Sequence, residues 1–177
     1  MIETARLVLR RWRPEDQAPY AAIMGDPRVA DWLGGAPSVE DIGERIERLN
    51  AALDRQGFGR LAIERREDGR LIGHCGLMPV GPALPEAGGV EIGWALAPDA
   101  WGRGYAAEAA RAVLDDGFAR LGLGEIVAFT TTGNLRSQAV MGRLGMARRP
   151  ERDFDHPMFA KDHPLCRHVV YVAARPA

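Results

Sequence analysis

The order of apolar and polar positions gives a first map of the chain. From Arg6 to Arg11 apolar and basic residues partly alternate (Arg6, Leu7, Val8, Leu9, Arg10), as in a half-buried strand. Pro14-Glu15-Asp16 suits a first helical turn, so a helix is expected to about Met24, stopping at Gly25-Asp26-Pro27 and kinked or shortened by Pro19. Ser38-Val39-Glu40-Asp41 reads as an N-cap with an acidic first turn, and Ile42, Ile46, Leu49 and Leu53 then recur at helical spacing up to Gly57. Phe58 to Arg66 and Leu71 to Met78 predict antiparallel strands joined at Asp68-Gly69, a hairpin turn signal. Residues 79–89, with three prolines and three glycines, read as an exposed loop.

In the second half, Val90, Ile92, Trp94 and Leu96 alternate with Glu91, Gly93, Ala95 and Ala97, a strand with one bulky face and one kept small around a carboxylate. Past Pro98 and a glycine-rich turn, Ala106, Ala110, Val113, Leu114, Phe118 and Leu121 define an amphipathic helix to about Gly122. Glu125 to Thr131 predicts a strand, Asn134 caps a helix that Gly145 stops, and His168 to Ala174 predicts the last strand after a polar, proline-bearing stretch.

Composition narrows the function classes. The 177 residues suit one domain, 1–177, with 46% hydrophobic and 27% charged residues, the proportions of an ordinary globular chain. The apolar stretches fall short of the roughly 20 residues of a spanning helix. Met1-Ile2-Glu3-Thr4 leads straight into a strand pattern, so the expectation is a cytoplasmic protein with no membrane partner. A net charge of -1, with Lys161 the one lysine, gives no footprint for nucleic acid. Cys75 and Cys166 read as free thiols. His156, His163, Cys166 and His168 match no standard zinc spacing, so no metal is expected. The oligomeric state, monomer or homodimer, stays open.

Gly102 and Gly104 sit between a predicted strand and a predicted helix, where exposed amides at a helix start can receive an anion such as a pyrophosphate. A dinucleotide fingerprint would need a third glycine where Ala107 stands.

The run Val90-Glu91-Ile92-Gly93-Trp94-Ala95-Leu96, then Trp101-Gly102-Arg103-Gly104-Tyr105-Ala106 with Glu108-Ala109, then Asn134-Leu135-Arg136-Ser137 and Leu144-Gly145-Met146, closely resembles the GNAT superfamily of acetyltransferases. The opening Glu3-Thr4-Ala5-Arg6-Leu7-Val8-Leu9-Arg10 is similar to the start of its ribosomal-protein-alanine N-acetyltransferase branch. The resemblance implies an α/β (α+β) fold: a mixed, mostly antiparallel sheet with helices on both faces, whose splayed central strands, here 90–97 and 125–131, admit a pantetheine arm. It implies acetyl-CoA as co-substrate, with its pyrophosphate on the amides of Arg103, Gly104, Tyr105 and Ala106. Trp101 and Gly102 complete that turn, and the backbone of Trp94, Ala95 and Leu96 pairs with pantetheine. Trp101 departs from the Gln or Arg usual in the superfamily, as this branch does.

Acetyl transfer to an amine needs a neutral nucleophile, an oxyanion donor and a proton for the leaving thiolate. Glu91, on the strand face that Gly93 and Ala95 leave open, is the candidate base, acting directly or through water, and the resemblance makes Ser137, which matches the branch's serine in the Asn-x-x-Ser segment, the candidate acid. The backbone N–H of Ala95 or Leu96 is the candidate oxyanion donor by analogy. Asn134 caps its helix and, by resemblance, contacts the coenzyme. Tyr105 is placed by the turn as a phosphate-contacting amide, and 153–157 is expected to shape the acceptor pocket. The favoured acceptor is a protein or peptide N-terminal α-amine. A small-molecule amine acetyltransferase of the same fold and a non-catalytic acyl-CoA sensor stay open as alternatives.

Overall fold

The computed structural model describes residues 1–176, which fall into two compact units. One comprises Met1–Leu77 with Gly93–Val113, and the other Met78–Ile92 with the chain from Leu114 onward.

In the first unit, β1 (Ile2–Glu3), β2 (Leu7–Arg10), β3 (Arg60–Arg65) and β4 (Leu71–Pro79, which runs on into the second unit) pair in sequence order; the β1–β2, β2–β3 and β3–β4 ladders are antiparallel. A 3-10 turn at Pro14–Asp16 opens α1 (Gln17–Gly25), which runs unbroken through Pro19. Proline in that first turn removes an N–H that would have had no helical partner, so the expected kink does not arise. A short α2 (Pro27–Ala30), capped by Asp26, follows where the sequence pattern gave only a stop. The longest helix, α3 (Val39–Gln56), starts on Ser38, whose hydroxyl accepts from the Asp41 amide while the Asp41 carboxylate accepts from the Ser38 amide. It buries Ile42, Ile46, Leu49 and Ala52, and α1 buries Tyr20, Ile23 and Met24. Tyr20 also meets His74 Nδ1 of β4 at 3.0 Å. Beneath this layer Arg10 forks onto Asp16 at 2.7 and 2.9 Å, both side chains buried.

In the second unit, the start of β5 (Val90–Leu96) pairs parallel with β6 (Glu125–Thr131), registered at Glu91↔Val127. Antiparallel to β6 lies β9 (Arg167–Ala174), which also pairs with β7 (Ala147–Arg148) and β8 (Phe154–Asp155). Val80, Val127, Phe154, Val170 and Val172 make its core on one sheet face. Two helices complete the chain: α4 (Tyr105–Ala119) and α5 (Leu135–Arg143). Among the described residues no helix is long and apolar enough to cross a membrane.

The end of β5 is drawn tightly onto β4. Gly73 has φ 145°, and a side chain there would meet the Ala95 carbonyl, with Leu96 Cα only 2.8 Å from its Cβ. Gly73→Ala is therefore expected to cost at least about 2 kcal/mol, from both the backbone conformation and the lost approach. Urea denaturation checks it, as a lower midpoint at unchanged slope.

Candidate active site

The glycine turn leads into a helix whose start carries no side-chain cap. Gly102 and Gly104 have φ 75° and 81°, which turn the chain from the strand end into α4 and leave Gly102, Arg103 and Gly104 exposed. Gly104 O accepts from the Glu108 amide, so Gly104 is the N-cap. A glycine brings no side chain to the first-turn amides, including those of Tyr105 and Ala106. The starts of α3 and α5 differ, because Ser38 caps α3 and Asn134 Oδ1 accepts from the Ser137 amide at 3.2 Å on α5, while α1 is led in by the Pro14–Asp16 turn. The Tyr105 ring is buried, stacked under the Arg6 guanidinium at 4.6 Å, with its hydroxyl directed to Arg65.

Strand alternation sorts the backbone groups of β5. The Ala97 amide donates to the Ile72 carbonyl of β4 at 2.8 Å, so the backbone groups of Ala95 also face β4 while those of Trp94 and Leu96 face away. The Leu96 carbonyl accepts from the Trp101 indole Nε1 at 2.8 Å, which ties the turn to the strand that feeds it. Tryptophan at the head of the turn has a structural task here that Gln or Arg would perform differently.

The second unit carries Glu91, Asn134 and Ser137. Register places Glu91 on the same sheet face as Val127, and through β9 on that of Phe129, Thr131, His168 and Val170. Helix α5 covers the opposite face: Tyr171, registered with Ala128, reaches Gln138 Oε1 at 3.5 Å. Glu91 thus projects from one face of this sheet, and Ser137 stands at the start of the helix that packs on the other. Both are partly exposed.

Glu91's face has neighbours that sequence spacing did not reveal. Phe154 stacks on His168 (ring centroids 5.4 Å, 16° between planes), and His156 packs on His168 at 5.0 Å and on Phe159 at 5.5 Å. His156 Nδ1 accepts from the Met158 amide at 3.3 Å, which places the proton of the neutral ring on Nε2. Burial holds His156 below the usual histidine range, with the nearby Glu91 charge pulling the other way. His168 is also depressed, by burial first and by His156, although its Nδ1 bonds the Cys166 carbonyl at 3.1 Å. The signal available in the sequence was the aromatic spacing Phe154-Asp155-His156 opposite a strand that opens on His168. Around this cluster, Arg152 binds Glu86 and reaches Glu125 at 2.8 Å, and Arg148 binds Asp153, so those carboxylates are occupied. Among the described residues no three His, Cys, Asp or Glu side chains converge as a metal site would require.

The sequence profile of the Acetyltransferase (GNAT) domain matches residues 6–147. The N-acetyltransferase YoaA of Bacillus subtilis is 32% identical over 148 residues, which cover 82% of this chain and 81% of that protein. The FsC-acetyl coenzyme A-N(2)-transacetylase of Aspergillus fumigatus is 32% identical over 152 residues, 82% of this chain and 64% of that one. A crystal structure of an acetyltransferase from Agrobacterium tumefaciens superposes with a TM-score of 0.77 at 32% identity, over 97% of this chain and 92% of the other. The chain belongs to the GNAT acetyltransferase family, with its mixed sheet and helices on both sides, and is an acetyl-CoA-dependent N-acetyltransferase.

Because folding lowers the pKa of His168, the unfolded chain binds more protons below its ordinary value of about 6.5. Stability is then highest above that value and falls as pH drops toward the depressed folded one. Thermal melts from pH 7.5 to 5 should show a falling Tm, and His168→Gln, which does not titrate, should reduce the slope while the share of buried His74 and of His156 remains.

Proposed function

We propose that this enzyme transfers the acetyl group of acetyl-CoA to a peptide N-terminal α-amine, with Glu91 as base and Ser137 as acid. The observation that carries the donor site is the uncapped, exposed start of α4. Its amides, from Arg103 to Ala106, supply N–H donors where the helix dipole favours a pyrophosphate. Trp94 and Leu96, whose backbone groups face away from β4, offer a strand edge to pantetheine. The same alternation favours the Leu96 amide over that of Ala95 as oxyanion donor. Asn134 holds the first turn of α5 so that Ser137 stands at its start.

The amine nitrogen attacks the thioester carbonyl carbon, passing its proton to Glu91 directly or through water. The C–S bond then breaks, the sulfur takes the Ser137 hydroxyl proton, and Ser137 regains a proton from solvent as Glu91 releases its own. An α-amine titrates near ~7.7–8.0, against ~10.4 for a lysine, so a weak carboxylate base suffices. A polycationic acceptor would find Glu86, Glu125 and Asp153 already paired with arginines. We place the enzyme in the cytoplasm as one catalytic domain.

A second reading is a small-molecule amine as acceptor, supported by the Aspergillus relative, whose name gives an N(2)-transacetylase and no protein N-terminus. The test is calorimetric binding of acetyl-CoA, followed by thiol release with free α-amine peptides and with a small-amine panel. Peptide-dependent release is expected; release with small amines alone would move the acceptor to the second reading. Binding with no release from any acceptor would favour the sensor. Glu91→Gln should lower kcat by roughly 10²-fold, and Ser137→Ala should lower it too, both at near-normal acetyl-CoA affinity. Unchanged kcat in both removes the acid-base assignment, and Gly104→Val should instead weaken acetyl-CoA binding.

A further inference from the structure

The amino-terminal run Thr4-Ala5-Arg6 is not explained by the proposed chemistry, yet it converges on the glycine turn. Arg6 Nη1 donates to the Arg103 carbonyl at 2.9 Å. The same guanidinium donates from Nε to Glu108 Oε2 at 2.7 Å, with Nη2 at 2.6 Å from that oxygen. The other oxygen, Glu108 Oε1, accepts from the Arg6 amide at 2.9 Å and from the Thr4 hydroxyl at 2.6 Å. Thr4 is itself fixed, since its hydroxyl oxygen accepts from the Leu7 amide at 3.0 Å and its carbonyl from Arg66 at 3.0 Å. The Tyr105 ring, the first residue of α4, lies beneath the guanidinium.

We infer that Arg6, anchored by Glu108 and Thr4, is a positioning residue for the pyrophosphate cradle, and that it acts by fixing the orientation of the Arg103–Gly104 peptide. This rests on the donor site proposed above. In a trans peptide the C=O and the following N–H point in opposite directions. Holding the Arg103 oxygen against Arg6 therefore aims the Gly104 N–H to the other side of the turn. The need for such a hold is specific to this place. Glycines flank Arg103 on both sides, and glycine opposes rotation of a neighbouring peptide less than any other residue. A flipped peptide would present a carbonyl oxygen to the phosphates in place of an N–H. Glu108 matters because it sits in the first turn of α4, where a carboxylate could itself have occupied the anion site. Here both its oxygens are turned to Thr4 and Arg6 instead.

A positioning role and direct phosphate contact predict opposite results at Glu108. Acetyl-CoA binding would be measured by calorimetry for the wild type, Arg6→Ala and Glu108→Gln, with initial rates on acetyl-CoA and on S-acetylpantetheine, which lacks the pyrophosphate. Loss of one charge-assisted hydrogen bond sets the expected scale, so Kd and KM for acetyl-CoA should rise roughly tenfold in both variants. Their kcat and amine KM should stay within about twofold, as should kcat/KM on S-acetylpantetheine, and Arg6→Lys should recover part of the loss.

Equal losses on both donors would mean a general structural role and overturn the inference. Unchanged or tighter binding by Glu108→Gln would make Arg6 a direct phosphate ligand, and unchanged binding by Arg6→Ala would remove it altogether. A wild type that does not bind acetyl-CoA overturns the donor site itself and this inference with it, whereas a binding wild type beside an indifferent Arg6→Ala overturns the inference alone.

Discussion

Backbone amides at a helix start have no partner within the helix, and a folded chain must give each one an acceptor or leave it to solvent or ligand. This constraint organises the functional architecture. The starts of α3 and α5 are closed from within by the side chains of Ser38 and Asn134, and α1 continues directly from the Pro14–Asp16 turn. The start of α4 is left without a side-chain cap because its N-cap is Gly104, and its nearest carboxylate, Glu108, is committed to Thr4 and Arg6. An anion with several oxygens is the natural complement of such a terminus. The neighbouring strand shares the logic, since Ala97, just past β5, gives its amide to β4 while the backbone groups of Trp94 and the Leu96 amide face away.

Arginine supplies much of the bracing around this opening. Surface ion pairs contribute little to stability singly, so the many exposed ones say more about geometry than about energy. Arg6 joins the amino-terminal strand region to the turn, Arg10 locks the start of α1 through Asp16, and Arg152 ties the 80–89 loop to the beginning of β6 through Glu86 and Glu125. In each case a planar guanidinium meets two partners at once, which a lysine's single ammonium does less well. The arginine-rich composition thereby becomes a set of rigid joints in loops that must hold their shape.

Legibility followed the range of the interaction. The α3 helix, with Ser38 before it and Gly57 after it, and the strand Glu125–Thr131 were plain in the sequence because caps and periodicity are local. So was the strand-turn-helix around Gly102 and Gly104. The short α2, β7 and β8 were not, since they rest on Asp26 capping and on pairing with β9. Pro19 misled because its effect depends on its distance from the helix start, which the Pro14–Asp16 turn displaced by three residues. The Arg6–Glu108 pair spans 102 positions, and the histidine packing beside Glu91 needs the β8–β9 register; neither leaves a periodic trace.

That register also bears on which side chain takes the proton. His156 Nδ1 already accepts the Met158 amide, so protonating the ring there would break a hydrogen bond as well as charge a partly buried group. Both effects keep the ring neutral, with its remaining nitrogen a donor. A neutral donor beside Glu91 can orient the carboxylate or an acceptor carbonyl, and it does not repel an approaching ammonium. It cannot serve as a base through Nε2, and His168, whose Nδ1 donates to the Cys166 carbonyl, keeps its acceptor nitrogen on a buried ring, so neither histidine competes on equal terms with the more exposed carboxylate proposed above as the base.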